Sequence, residues 1–504
     1  MLFFALAMAV GSLWLVAPED FWWQLKIGDL IRTSGRIPTV GVFSATQANT
    51  AFFYQNWLSQ FLFSWIYQLG GLVAILQIRS LLLIGSYALL LWHTWRRVKA
   101  NGRAAMLGLL LSVLVSFNHW QVQPAMFVWP LFIASFVIVS EVAAERWTTK
   151  YLWLLPIIQL LWVNLHESFI FGPILVATAA VGAIIDRRRD HDEAPIYATA
   201  RALQIATATT TIASFINPHG WNGWIAAWQQ LTSIVPEALQ TQSGSPLLNF
   251  ATPMAQVSLA VGLIAAMMLS VVWQRMRSAD LIITAIMAAF SLLSMRYQFW
   301  FGSVAGPIIA EAIVRRGRLR LIKRNPSAPI WIAGLTITIG LIGLLMQPII
   351  RIWLPLPAAL QGATGNLPQA TLASAATPIQ AVEFLQANPP SQAYFHDLGY
   401  GSYLIWQAGE QLPVFIDPRV SLYPTEHWQA YSCIMAGRDW ERLLTQDSID
   451  TILVDRGNGQ QLISAVQANS AWREVYADQQ SLIFKRDPQA AQPTGSATSC
   501  PATK

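Results

Sequence analysis

Two acids and a run of aromatic residues follow the first apolar segment of the chain. Glu19 and Asp20 come directly after residues 2–17, and the aromatic residues 21–23 come next. A carboxylate held at a membrane surface can deprotonate an acceptor hydroxyl, because proximity to lipid disfavours its charged form. We therefore predict that one of the two acids, Glu19 or Asp20, acts as a general base. In the alternative interpretation, the rings belong to an interfacial belt and the acids are only solvated.

Further polar side chains lie at short junctions between apolar segments, where ionisable residues are energetically expensive and often functional. Arg296 is predicted to clamp a phosphate, because a guanidinium stabilises charge that develops on a departing oxygen. The other predicted substrate-binding residues are Trp23, Gln24, Asn164, His166, Glu167, Asn217 and His219. A base and a cation at one membrane depth suit glycosyl transfer from a lipid phosphate, in a cavity open to the outer leaflet.

These junctions also have simpler interpretations. Asn217 and His219 flank Pro218 and precede Gly220, so they belong equally well to a turn that ends a helix. Arg296 is long enough to extend its guanidinium to the interface without binding anything. The group from Asn164 to Glu167 is harder to explain in this way, because its junction is too short for a solvated loop.

The composition indicates the solvent that surrounds most of the chain. Of its 504 residues, 54% are hydrophobic and only 12% are charged. Soluble domains carry about 25% charged residues, so an ordinary soluble enzyme is excluded. The net charge of +6 does not indicate nucleic acid as a partner, because Lys and Arg in a membrane protein collect in cytoplasmic loops. Membrane lipid is the expected surrounding.

A helix that crosses the membrane needs roughly 20 mostly apolar residues, and the sequence offers about eleven such segments. They lie near residues 2–17, 72–94, 104–118, 125–143, 151–165, 168–185, 201–217, 254–273, 279–295, 297–314 and 328–349. The shorter apolar segment 57–70 ends at two glycines and is predicted to be an interfacial or re-entrant helix. The expected fold is therefore mainly α, a polytopic membrane helix bundle.

The distribution of basic residues predicts the orientation of this bundle. Lys and Arg concentrate in the loops 95–103, 145–150, 187–201, 274–280 and 315–324, whereas the alternating loops hold few of them. Basic loops remain in the cytoplasm, so the N-terminus is expected inside and the C-terminus outside. We expect a multi-pass protein of the plasma membrane, the inner membrane in a bacterium. We attribute the many Lys and Arg residues of the predicted cytoplasmic loops to membrane topology alone.

The boundaries follow from these segments. We predict a transmembrane domain at 1–349 with a first outer loop at 18–57, a linker at 350–378, a small C-terminal α/β domain outside the cytoplasm at 379–486, and a disordered tail at 487–504. Short apolar strands alternate with helices in the C-terminal domain, and residues 413–417 are among the predicted strands. Such alternation indicates a largely parallel sheet.

Several charged residues of the C-terminal domain follow strand-like segments, namely Asp397, Asp417, Arg419 and Asp455. Strand ends are where parallel sheets bind ligands, but we interpret these residues as caps and turn residues. The domain is expected to recognise the acceptor or to cover the active site. The chain has two cysteines, Cys433 and Cys500, which cannot form a disulfide framework or a Cys-based metal cluster. We expect them not to pair.

Taken together, these features of the chain resemble those of a known class of enzymes. The sequence is similar to a family of bacterial membrane proteins related to the GT-C class of glycosyltransferases. The residues that carry the likeness are Asp20-Phe21-Trp22-Trp23-Gln24-Leu25, Gly28, Gly35-Arg36-Ile37-Pro38, Phe43-Ser44, Trp57-Leu58, Asn164, His166, Asn217-Pro218, Gly220, Arg296, Val414-Phe415-Ile416-Asp417 and Arg419. The related family commonly has His where this chain has Gln24.

The resemblance implies a polyprenyl-phosphate-linked sugar as donor, an inverting transfer and Asp20 as the catalytic carboxylate. Glu19 is then predicted to be its helper or a metal contact. The class often has two acids separated by one residue, whereas Glu19 and Asp20 are adjacent, so it remains open which of them acts. Some members use a divalent cation, Mg²⁺ or Mn²⁺, and the sequence offers no ligand set that decides this. The acceptor stays unspecified: a glycolipid, a polysaccharide or a protein.

Three other functions compete with this prediction. A secondary transporter would place its ionisable residues near the membrane midplane, which here is nearly empty of charge apart from Arg79. A non-catalytic assembly protein for the export of surface polysaccharide would keep full function without the Asp20 carboxylate. An enzyme of the O-antigen ligase or polymerase type would depend on Arg and His in a late outer loop.

Overall fold

The computed structural model describes residues 15–18, 20–190, 195–232, 244–316 and 372–489. These residues divide into two compact units, which meet in the sequence between Leu72 and Val73. The helical unit contains the described residues from 73 to 316. The mixed unit contains residues 15–72 together with the described residues from 372 onward. The first outer loop therefore packs in the same unit as the C-terminal domain, which the sequence did not predict.

Most described residues of the chain are helical. The helices, in chain order, are α1 Phe21–Ser34, α2 Trp57–Arg97, α3 Gly102–Ser116, α4 Trp129–Ala143, α5 Leu154–Leu165, α6 Phe171–Asp190, α7 Pro195–Ala213, α8 Trp221–Thr232, α9 Pro253–Val272, α10 Ser278–Leu293, α11 Gln298–Arg315, α12 Ile379–Ala387, α13 Leu398–Gln407, α14 Thr425–Met435, α15 Trp440–Gln446 and α16 Gln460–Gln467. The strands are β1 Ala393–His396, β2 Ile449–Asp455, β3 Trp472–Ala477 and β4 Ser481–Arg486.

Several helices have the length and the apolar composition of membrane spans, so the chain is a multi-pass membrane protein. Among the described residues, five helical segments are long and apolar enough to cross a membrane, namely Trp57–Arg97, Gly102–His119, Pro124–Ala143, Glu167–Arg189 and Pro253–Arg275. The predicted segments 2–17 and 328–349 lie outside the described residues, and so do most of the linker 350–378 and the tail 487–504. The number of eleven spans and the orientation stay predictions.

The break expected after residues 57–70 is present. Helix α2 has non-helical backbone angles at Gly70 and Gly71, and Gly71 adopts φ 60° and ψ −152°. Only glycine adopts such a conformation without strain. The break directly precedes the boundary between the two units, so the first part of α2 belongs to the mixed unit.

Small residues allow α3 and α11 to approach closely in the helical unit. A Cβ atom at Gly108 would lie 2.8 Å from the carbonyl oxygen of Gly306, and one at Gly306 would collide with Ser112 and the Gly108 backbone. Membrane helices commonly pack through such residues, because lipid provides little hydrophobic drive for association and close van der Waals contact replaces it.

One assumption about the basic residues was wrong. Arg97 is not merely a topological signal, because its guanidinium is buried and donates to Glu311, Asp280 and the Ser140 hydroxyl, each at 2.7 Å. These partners lie on three other segments of the helical unit. Arg277 adds a hydrogen bond of 3.1 Å to Asp280. Because a buried charge must be paired to be tolerated, this network joins four helices at one end of the unit.

The sheet of the mixed unit contains both parallel and antiparallel strand pairs, whereas a largely parallel sheet was expected. Its strand order is β1-β2-β4-β3, and only β1 and β2 pair in parallel, with Phe395 opposite Ile452. Strands β3 and β4 form a hairpin, whose turn is fixed by Asp478 accepting from the backbone of Gln480 and Ser481. The hairpin brings β4 antiparallel to β2, since Leu453 lies opposite Ile483.

The prediction of a strand at residues 413–417 is also wrong. These residues form an isolated parallel bridge between Val414 and Ser44 instead of joining the sheet. The backbone N–H of Val414 donates to Phe43 at 2.8 Å, and Ala45 donates to Val414 at 2.9 Å. Its pairing partner is therefore the first loop, which lies far away in the sequence.

Candidate functional site

Asp20 lies at the start of α1, where its side chain is fixed by an aromatic neighbour. The carboxylate does not cap the helix. Instead, Oδ1 accepts a hydrogen bond of 2.9 Å from the indole nitrogen of Trp23. Asp20 is half-buried, so its carboxylate is oriented but still reachable. Glu19 lies outside the described residues.

The aromatic residues beside Asp20 pack inside the mixed unit. Trp22 and Trp23 are buried, and the Trp22 ring makes an edge contact with Tyr403, with centroids 5.2 Å apart. The backbone N–H of Trp23 donates to the Ser402 hydroxyl at 3.0 Å. Trp22 through its ring and Trp23 through its backbone thus contact α13 of the C-terminal domain, an arrangement that differs from rings at a lipid interface.

Gln24 is buried against the first part of α2. Its Oε1 atom accepts a hydrogen bond of 2.6 Å from Nε2 of Gln60. One turn further along α1, a Cβ atom at Gly28 would collide with the backbone carbonyl of Gln60. The glycine therefore allows the two helices to touch, and the Gln24 side chain holds them in register.

An ion pair of two residues, interpreted from the sequence as caps and turn residues, lies beside Trp23, the residue that binds Asp20. Arg419 donates to both carboxylate oxygens of Asp417, at 2.8 and 2.7 Å, and both side chains are fully buried. Burial alone would raise the pKa of Asp417, but Arg419 and the Tyr423 hydroxyl outweigh it and hold that pKa below its usual range. The carboxylate is therefore ionised throughout the physiological pH range.

The remaining bonds of Arg419 reach the first loop. Its guanidinium donates to the Tyr54 hydroxyl at 3.1 Å and to the Val42 carbonyl at 2.8 Å. Its Cζ atom lies 5.7 Å from the centre of the Trp23 ring and 5.8 Å from that of Phe52. In the sequence, the only indication of this ion pair is an Asp and an Arg two positions apart. Nothing in the sequence indicates that Arg419 has partners in the first loop.

In the helical unit, the side-chain amides of Asn164 and Asn217 form hydrogen bonds with backbone groups. Asn164 donates to the carbonyls of Leu160 and Ile216 at 2.9 and 3.0 Å, so it links the ends of α5 and α7. Asn217 donates to Ser214 and accepts from the backbone N–H of His219 at 2.8 Å. These contacts agree with the interpretation of residues 217–220 as a turn.

His166 and Glu167 form a small polar pair. The backbone N–H of Ser168 donates to Nδ1 of His166 at 3.0 Å, which leaves Nε2 to carry the proton of the neutral ring. That nitrogen lies 3.5 Å from Glu167 Oε1. Burial lowers the pKa of His166, and Glu167 opposes this. The neutral ring is thus oriented to donate towards the carboxylate.

Arg296 is half-buried and lies near this pair. Its Nε atom donates to the Ser294 hydroxyl at 3.3 Å. The adjacent Tyr297 interacts electrostatically with both Arg296 and Glu167, and His119 bonds to the backbone of Met295. His119, Glu167 and residues 295–297 come from three different junctions between apolar segments and are therefore neighbours in the helical unit.

The described residues hold no group of three or more His, Cys, Asp or Glu side chains arranged to bind a metal. The metal contact proposed for Glu19 falls outside them. No step is assigned to a cation. Cys433 is disulfide-bonded, which corrects the expectation of an unpaired thiol; Cys500 lies outside the described residues.

Comparison with solved structures identifies the architecture. The archaeal oligosaccharyltransferase AglB from Archaeoglobus fulgidus, in complex with an inhibitory peptide and a dolichol-phosphate, aligns with a TM-score of 0.51 and 10% identity. The alignment covers 98% of this chain and 75% of that one. The chain has a GT-C-type fold.

ArnT from Cupriavidus metallidurans bound to undecaprenyl phosphate aligns with a TM-score of 0.46 and 15% identity, over 97% of this chain and 98% of that one. No protein-family model matches the sequence, and no curated protein matches it. The GT-C-type fold predicted from the motifs is confirmed by the similarity to AglB.

Proposed function

We propose that the chain is an integral membrane glycosyltransferase. It moves a sugar from a polyprenyl-phosphate carrier to an acceptor outside the cytoplasm, a glycolipid, a polysaccharide or a protein. The observation that supports this most is the similarity of fold to an oligosaccharyltransferase over 98% of the chain. That neighbour contains a dolichol-phosphate, which is a polyprenyl-type lipid phosphate.

In the proposed reaction, Asp20 is the general base. Its carboxylate takes the proton of the acceptor hydroxyl as the hydroxyl oxygen forms a bond to the anomeric carbon of the sugar. The bond between that carbon and the phosphate oxygen breaks, and the configuration at the carbon inverts. The polyprenyl phosphate leaves with the bonding electron pair. The Trp23 hydrogen bond supports this role, because it orients the carboxylate without covering it.

Arg296 is proposed to stabilise the negative charge that builds up on the leaving phosphate. Its half-buried position supports the role, because a guanidinium in low-dielectric surroundings interacts more strongly with an anion. His166 and Glu167 are second-site polar groups beside it. Asn164, Asn217 and His219 hold the junctions in place, and the C-terminal domain supports the loop that carries Asp20.

The experiment compares glycan and glycolipid composition in cells that carry Asp20→Asn or Arg296→Ala at equal protein level. We expect both variants to lose the product. Matched controls are Asp29→Asn, a partly exposed acid on the same helix that pairs with Arg32, and Arg36→Ala, an exposed basic residue. Both controls should retain a wild-type profile. Wild-type glycans in Asp20→Asn and Arg296→Ala would rule out the catalytic proposal and favour a transporter or an assembly protein.

The reaction also requires the C-terminal domain to lie outside the cytoplasm. In a background in which Cys433 and Cys500 are replaced by serine, a thiol reagent that cannot cross membranes should label Asn458→Cys in intact cells. It should label Arg103→Cys only after permeabilisation. Both residues are exposed, so access depends on the side of the membrane. The reverse pattern would invert the proposed topology.

A further inference from the structure

The ion pair of Asp417 and Arg419 is more elaborate than the stability of the C-terminal domain requires. A buried ion pair of good geometry is often no more stable than an apolar pair of similar volume, because both charges lose their hydration. Here the pair is fully buried, and Tyr423 adds a hydrogen bond of 2.6 Å to Asp417. The sequence thus maintains a charged group where a hydrophobic contact would serve the core.

The geometry of Arg419 explains what the charge provides. A guanidinium presents several N–H groups in one rigid plane, unlike the single flexible ammonium of lysine. Its Nε and Nη2 atoms bind Asp417, Nη2 also donates to the Val42 carbonyl, and Nη1 donates to the Tyr54 hydroxyl. Arg419 therefore connects the C-terminal domain to the first loop with a defined orientation.

The same guanidinium faces the ring that orients the predicted base. Arg419 lies 5.7 Å from the centre of the Trp23 ring, a distance at which a cation is attracted to the aromatic face. The Trp23 backbone is held by Ser402, and its indole N–H binds Asp20. A continuous set of contacts thus runs from Asp417 through Arg419 and Trp23 to Asp20, entirely within the mixed unit.

We propose that Asp417 and Arg419 are positioning residues that fix the Trp23 ring and, through its indole N–H, the orientation of the Asp20 carboxylate. This inference rests on the proposed function, in which Asp20 is the base. It gives the C-terminal domain a role in the chemical step through its contact with Trp23.

The test uses the full chain in membrane vesicles from a host that lacks the native copy and still supplies donor and acceptor. The variants are Arg419→Lys, Trp23→Phe and their combination, and the control is Arg442→Lys, an exposed residue of the same domain paired with Asp439. Arg419→Lys and Trp23→Phe should each lower the initial rate of glycan formation about tenfold to a hundredfold, since small displacements of a catalytic group have effects of this size.

Two further readouts separate positioning from a general structural role. The combined variant should be no slower than the slower single variant, because both changes interrupt the same set of contacts. Binding of undecaprenyl phosphate, measured by native mass spectrometry, should stay within about twofold of wild type, because the lost interaction concerns Asp20. A rate for Arg419→Lys equal to that of Arg442→Lys, or effects that multiply in the combined variant, would overturn the inference.

A loss of folding is controlled by a second substitution. If Arg419→Lys makes the C-terminal domain sensitive to protease, the pair Asp417→Leu with Arg419→Met takes its place, since apolar pairs often preserve stability. We expect this variant to fold and to be slow; a wild-type rate would contradict the proposal. Asp20→Asn in the same assay tests the proposed function separately from the positioning role. If Asp20→Asn stays active, the proposed function is wrong, regardless of the rate measured for the Arg419 variants.

Discussion

The indole nitrogen of Trp23 donates a hydrogen bond of 2.9 Å to Oδ1 of Asp20. The two residues are one helical turn apart, and Trp23 is itself held by residues from the other end of the chain, its backbone by Ser402 and its ring by Arg419. The orientation of the predicted base therefore depends on an aromatic ring whose position the C-terminal domain determines.

Replacing Trp23 by phenylalanine should lower glycosyl transfer about tenfold to a hundredfold. The substitution keeps an aromatic ring but removes a hydrogen bond to a carboxylate, worth about 1.5–3 kcal/mol, and each 1.36 kcal/mol corresponds to about a factor of ten in rate. The measurement is the initial rate of product formation in membrane vesicles at equal protein level.

The neighbouring tryptophan provides the matched control. Within the described part of the chain, Nε1 of Trp22 has no hydrogen-bond partner, so Trp22→Phe removes a similar volume without removing such a bond. This variant should transfer sugar at close to the wild-type rate. Equal losses in Trp22→Phe and Trp23→Phe would show that packing, not the hydrogen bond to Asp20, is responsible.

Arg97→Ala should destabilise the helical unit by about 3–5 kcal/mol, because it leaves Glu311 and Asp280 buried without their main cation. The adjacent Arg96 is partly exposed and lies 3.3 Å from Glu141, so Arg96→Ala should cost at most about 1 kcal/mol. Thermal unfolding in detergent would measure both. Similar melting temperatures for the two variants would contradict the importance of the buried network.

Gly306→Ala should also destabilise the helical unit, by about 1–3 kcal/mol. The added methyl group would meet Ser112 and the Gly108 backbone, and backbone cannot move aside as a flexible side chain can. Gly85→Ala in α2 is the matched control, because nothing lies within 4 Å of its added Cβ and alanine favours a helix. Thermal unfolding should therefore separate two identical substitutions, and equal effects would argue against tight packing of α3 on α11.

Acid should weaken the mixed unit through His396. Burial lowers its pKa to about 4, and the ring is held neutral because Nδ1 donates to the Asp397 carbonyl while Nε2 accepts from the Phe415 N–H. The unfolded chain binds this proton near pH 6.5 and the folded chain near pH 4. The contribution of His396 to stability is therefore complete above pH 6.5 and declines by about 3 kcal/mol as the pH falls to 4.

Hydrogen–deuterium exchange of the full chain in urea would measure this loss in peptides around residues 393–416, after correction for the intrinsic exchange rate. His396→Gln keeps an acceptor but cannot take up a proton, so its stability should depend less on pH over this range. If wild type and His396→Gln lose protection with the same pH slope, another group is responsible, and His427, whose pKa burial also lowers, would be the first to examine.

Much of the architecture could be read from local patterns. The apolar segments that coincide with α3, α4 and α9, the break at Gly70 and Gly71, and most helices and strands of the C-terminal domain follow from composition and periodicity, because a lipid-facing helix needs a long apolar run whatever surrounds it. Short motifs along the membrane part and the C-terminal domain, together with the number of apolar segments, also predicted the GT-C-type fold, since each motif lies within one short stretch of sequence.

Other features depended on which distant segments meet. Residues 413–417 have the composition of a strand but pair with Ser44 of the first loop, and the sheet is mixed because a terminal hairpin returns along β2. Arg97 and Arg419 look like a loop charge and a turn residue until their buried partners are known. Side-chain burial and long-range pairing are properties of the folded chain, because a charge becomes a structural element only when tertiary packing removes its water and supplies a partner. The sequence therefore determined which segments are apolar and where the chemistry-bearing residues lie along the chain, whereas only the tertiary structure decided what holds the Asp20 loop in place.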